Sequence, residues 1–86
     1  MPVISRFFGI VISMYYNDHP PPHFHVTYGE YRAQMAIETL AIIEGELPRR
    51  VINLTMEWAS LHRDELRADW ELARNGQPLE RIVPLD

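Results

Sequence analysis

The chain has 86 residues, 47% apolar and 23% charged, and carries a net charge of −4 with its histidines neutral. That balance describes a single globular domain with a thin core and excludes both disorder and two independent cores. The absence of cysteine removes disulfides and thiolate metal sites, and the acidic balance disfavours broad binding to duplex DNA.

Residues 3–8 and 10–16 are rich in Val, Ile, Phe and Tyr, with Gly9 between them, and predict two strands joined by a tight turn. Asn17-Asp18-His19-Pro20-Pro21-Pro22 cannot continue a strand, because three prolines remove three amide donors. A stiff extended loop follows from that composition. His23 to Tyr28 and Tyr31 to Ile37 then flank Gly29-Glu30, a two-residue hairpin signal. Leu40 to Ile43 predicts a short fifth strand.

Pairing Tyr28 with Tyr31 sets Val26 opposite Ala33, Phe24 opposite Met35, Thr27 opposite Arg32 and His25 opposite Gln34. One face then carries Phe24, Val26, Tyr28, Tyr31, Ala33 and Met35, and the other His23, His25, Thr27, Arg32 and Gln34. Apolar and polar sets separate, which supports the register. Ile10, Ile12 and Met14 belong with the core.

A helical period starts near Pro48, expected at the first helical position, and stops at Asn75-Gly76 with Pro78 beyond. Val51, Leu54, Thr55, Trp58, Leu61 and His62 share one side, and Glu65 and Asp69 intrude on it. The helix is therefore expected to bend, or to break into two, around Ser60 to His62. Trp58 and Trp70 read as core, and His62 as a partly buried histidine facing the apolar side. Ile82, Val83 and Leu85 predict an extended tail against the core.

The expected fold is one α+β domain over residues 1–86, with strands over about 3–44, a helix over about 48–75 and a tail over 77–86. A four- to five-stranded antiparallel meander carries one long C-terminal helix, bent or broken, on one face. The histidine-bearing face stays open.

Three histidines, His19, His23 and His25, fall within seven residues, preceded by Asp18. Three imidazoles with a carboxylate suit zinc or a similar divalent ion, which makes His19, His23 and His25 the candidate metal ligands. The structural alternative has His19 and His23 bonding loop carbonyls and His25 on the surface. A different chemistry, metal-independent cleavage of RNA, needs a base, an acid and a cation beside the phosphate. His23, His25, Tyr15 and Arg32 supply those groups and are the catalytic candidates. The alternative there is a solvated polar face.

Arg49 and Arg50, in the first helical turn, oppose the helix dipole by about 0.3–1 kcal/mol each. Either Glu44 and Glu46 neutralise them or they meet an anion. The candidate binding residues are thus Asp18, His19, His23, His25, Arg32, Gln34, Arg49 and Arg50. No cofactor is required, apart from the divalent metal of the one reading.

The segments DHPPPHFHV (18–26), YGEY (28–31), LPRR (47–50) and EWASLHRDEL (57–66) resemble the bacterial family known as domain of unknown function 4160. The likeness covers nearly the whole chain. It implies a small stand-alone cytoplasmic protein with a protein partner encoded by a neighbouring gene, in pairs reminiscent of toxin–antitoxin modules. It assigns no residue a role.

The expectation is therefore a cytoplasmic interaction module that recognises its partner through the open sheet face and the histidine–proline loop. A metal-independent endoribonuclease and a histidine-rich metal-binding protein are the alternatives. RNA is a second expected ligand class, and Val11 and Tyr15 on the open face invite a homodimer. No apolar run approaches the roughly 20 residues of a bilayer span, and no signal-peptide pattern opens the chain, so no membrane association is expected.

Overall fold

Five strands alternate inward and outward side chains: β1 (Val3–Phe7), β2 (Ile10–Ser13), β3 (His23–Tyr28), β4 (Tyr31–Ala36) and β5 (Ile42–Gly45). The computed structural model describes residues 2–86. The strands form one antiparallel sheet in chain order, a meander. The β3–β4 register pairs Tyr28 with Tyr31, Val26 with Ala33 and Phe24 with Met35, as the hairpin pattern predicts. Gly29 takes a φ of +57° at the first turn position, which favours a residue without a Cβ.

Helix α1 (Arg49–Leu61) follows β5, and α2 (Arg63–Arg74) continues from it. The long helix, expected to be bent or broken around Ser60 to His62, is two helices set end to end. His62 departs from helical geometry at φ −125° and ψ 25° and separates them. The cause is legible in the residues after it. Asp64 and Glu65 sit in the first turn of α2, where negative charge complements the dipole of a new N-terminus. The His62 ring bonds the Glu65 carboxylate, which ties the corner together.

Pro48 precedes α1 rather than opening it, and its carbonyl accepts the first helical bond, from Ile52 at 3.0 Å. At the other end Gln77 N–H bonds Leu72 O at 2.9 Å and Gly76 N–H bonds Ala73 O at 3.2 Å, a Schellman stop. The fifth strand starts two residues later than the apolar run suggests. Leu40 is spent on the turn, in a left-handed conformation at φ +60°, with its side chain buried.

The core lies between the sheet and the helices. Ile10, Ile12, Met14, Phe24, Val26 and Met35 are fully buried with Val51, Trp58 and Leu66. Burying each such side chain contributes about 1.5–3 kcal/mol. Trp58 is the centre: its ring lies 5.3 Å from Phe7 and 6.0 Å from Phe24. Its indole N–H donates to Val83 O at 2.9 Å, and Ile82 N–H donates to Ile4 O at 2.8 Å. The tail thereby joins the outer edge of β1 in the extended form expected, with Ile82 buried, whereas Val83, expected against the core, is turned to solvent.

Three contacts position the sheet face opposite this core. Gly45, at φ +84°, lies so close to β4 that a Cβ would meet Arg32 O at 2.1 Å, so only glycine lets β5 approach there. That approach sets Glu44 opposite Gln34. Arg67 grips Glu38 through two bonds of 2.7 Å, and Arg63 donates to Ile37 O at 3.0 Å, fixing α2 to the β4–β5 turn. No helix among the described residues is long and apolar enough to cross a membrane.

Candidate functional site

Strand parity puts His23 and His25 on the face opposite Phe24 and Val26, but the two rings have different surroundings. His23 is buried, 4% exposed, with its ring 5.3 Å from Trp70 of α2. His25, two residues on, is only partly covered. The expectation of a wholly open histidine face is therefore corrected. The loop and α2 close it at the His23 end, and it is open along Thr27 and Arg32.

The loop closes because its polar backbone groups find partners. Pro21 O accepts from His23 Nδ1 at 2.7 Å, Pro22 O from Ile37 N–H at 3.0 Å, and Asn17 N–H donates to Ala73 O at 3.4 Å. A carbonyl can only accept, so His23 Nδ1 carries a proton. This is the loop-carbonyl role weighed above, and it falls to His23 alone.

Asp18 is the hub. His23 Nε2 and His25 Nε2 each lie 3.0 Å from the same oxygen, Asp18 Oδ2, and the backbone N–H of His19 donates to Oδ1 at 2.8 Å. Partial burial pushes the Asp18 carboxyl up, but the bonds from His25 and the His19 amide and the nearby imidazoles outweigh it. The carboxyl rests below its ordinary value. The donor atoms of Asp18, His23 and His25 lie within 4.8 Å of one another, a set that could hold a metal ion. The His19 ring is exposed and outside this set, so of the three expected ligands the structure gathers two and adds the carboxylate.

A cavity of about 220 Å³ opens beside His25, lined by Tyr15, Thr27, Arg32, Gln34 and Glu44 among others. The Tyr15 ring stands edge-on to His25 with centroids 4.3 Å apart. Of the catalytic candidates, Tyr15, His25 and Arg32 meet here, whereas His23 is buried and does not line the cavity. Arg32 is exposed and Gln34 partly covered. Glu44 was not expected at the site; the signal for it is the β4–β5 register, which the misplaced start of β5 obscured.

Arg49 and Arg50 are exposed at the start of α1 and outside this cavity. Among the described residues neither is ion-paired, so Glu44 and Glu46 do not neutralise them by contact. His62 is the partly buried histidine expected, packed against Trp58 with ring centroids 5.7 Å apart.

No curated protein and no solved structure matches the chain. The profile of one family, described as a domain of unknown function (DUF4160), matches residues 9–71. That stretch runs from the first turn through Asp18, His23, His25, Arg32 and Glu44 into the last turns of α2, and the chain belongs to this family.

Proposed function

We propose that the protein is a small recognition module, one half of a two-protein regulatory or toxin–antitoxin-like pair, which docks its partner on the sheet face around Arg32. The observation that carries the reading is the cavity of about 220 Å³ between Tyr15, His25, Arg32 and Glu44. Small-molecule sites are usually about 300–1,000 Å³ and mostly apolar. This one is smaller, half open and of mixed charge, a shape that takes one or two side chains of a partner. Tyr15, 39% exposed at its rim, is of the residue type that anchors interfaces, as is Arg32. The family resemblance supports a partner encoded by a neighbouring gene, and a cytoplasmic setting goes with that reading.

The test is calorimetric titration of the purified protein with the product of the neighbouring gene. Arg32→Glu and Tyr15→Ala weaken binding at least about tenfold, while Arg50→Ala, on the helix, leaves it unchanged. No complex with the wild-type protein overturns the reading. A second reading, endoribonuclease activity, draws on the shared placement of Tyr15, His25 and Arg32 in one cavity. Cleavage of single-stranded RNA that disappears in a folded His25→Ala variant would put it first.

A further inference from the structure

We propose that Asp18, His23 and His25 form a binding site for one divalent cation of the zinc class, with a further coordination position facing solvent. The site shares His25 with the docking cavity but rests on separate observations. It rests first on the convergence of donor atoms: His23 Nε2 and His25 Nε2 each lie 3.0 Å from Asp18 Oδ2, and the three fall within 4.8 Å of one another. His23 Nδ1 is committed to Pro21 O, so Nε2 is the ring atom left to face the carboxylate. A bound cation takes the place of the protons that otherwise bridge the imidazoles to Asp18.

The geometry fits. Tetrahedral zinc with ligands near 2.1 Å separates neighbouring donor atoms by about 3.4 Å. Asp18 Oδ2 stands 3.0 Å from both Nε2 atoms and all three donors lie within 4.8 Å of one another, a spread that small side-chain adjustments bring to the spacing an ion needs. The His23 Nδ1–H bond to a backbone carbonyl is the arrangement that fixes a ligating imidazole in the right tautomer and orientation. Packing against Trp70 holds that ring further. Asp18 and His25 keep 21% and 19% of their side-chain surface exposed, so an ion enters from solvent and keeps a free position there. Two imidazoles and one carboxylate favour zinc and its late first-row neighbours over magnesium or calcium, which prefer all-oxygen shells.

The experiment is zinc titration of the full chain, made without a histidine tag, followed by calorimetry and by thermal melting. Wild-type protein takes up one Zn²⁺ per chain and melts at higher temperature with it, and excess Mg²⁺ does not displace the ion. Asp18→Asn and His25→Ala, partly exposed positions checked for folding by circular dichroism, each weaken uptake by at least about tenfold. His19→Ala, which removes the exposed neighbouring ring, leaves uptake unchanged. Three outcomes overturn the site: no saturable Zn²⁺ uptake by the wild-type protein, displacement by Mg²⁺, or uptake lost in His19→Ala but kept in folded Asp18→Asn. Because His23→Ala risks the fold, it is not part of the test.

Discussion

His23 Nε2 lies 3.0 Å from Asp18 Oδ2 while Nδ1 of the same ring holds Pro21 O at 2.7 Å, so one imidazole spans the proline loop and its root. His25 meets Asp18 at the same distance but leaves its other side to the cavity. The two histidines share a face and divide the work: one is scaffold, the other surface.

Truncating them should separate those roles. His23→Ala empties a buried site beside Trp70 and orphans the Pro21 carbonyl, which costs about 2–4 kcal/mol. His25→Ala, partly exposed, costs about 1 kcal/mol or less. Urea unfolding of both variants, without added metal, checks the difference, and equal losses would contradict it.

Asp69 sets a pH dependence. Burial pushes its carboxyl above the ordinary value, the Glu80 amide bond opposes this, and the charges of Glu80 and Glu65 add to it. Oδ1 accepts Glu80 N–H at 2.9 Å, while Oδ2 is buried without a hydrogen-bond partner among the described residues. A carboxyl that binds its proton more tightly in the folded state gives its full stabilisation below the unfolded value of 3.8 and loses it as pH rises through the folded one. Asp69→Asn keeps the Oδ1 acceptor and removes the charge. It should resist urea better than the wild type at neutral pH, with the advantage narrowing towards about pH 4.

Gly45 and Gly29 both have positive φ but differ in space. A Cβ at Gly45 meets Arg32 O at 2.1 Å and Ala33 Cα at 2.8 Å, and at Gly29 it meets nothing within 4 Å. Gly45→Ala must push β5 from β4 and should cost more than about 2 kcal/mol, against about 1 kcal/mol for Gly29→Ala. Thermal melts of the pair check this. Gly45→Ala should also loosen Glu44 from the cavity.

Phe8 points the other way. It is half exposed yet held at φ +50° in the β1–β2 turn, a conformation that L-residues with bulky side chains avoid. Asparagine before glycine suits such a turn. Phe8→Asn should stabilise the fold by about 0.5–1 kcal/mol, read as a rise in Tm of about 3–6 °C.

Much of this was legible because period and parity are local properties. The β3–β4 register, the core face from Ile10 to Met35 and the stop at Gly76 follow from residues within a few positions of one another. What escaped depends on contacts between distant segments. Trp70 reaches His23 across the chain, and its own neighbourhood says only that it is buried. The start of α2 is written in Asp64 and Glu65, of which the helical period reads Glu65 as an intrusion rather than as part of a first turn. His19 looked equivalent to its neighbours until the loop turned its ring outward and Asp18 inward.

The face that meets the partner decides between these readings of the molecule. The most direct measurement is an amide NMR titration of the labelled protein with the product of the neighbouring gene. Shifts centred on Thr27, Arg32, Gln34 and Glu44 are predicted, with the exposed side of α1 around Asn53 and Glu57 unmoved. Shifts confined to α1 or the tail, or none at saturating partner, would contradict it.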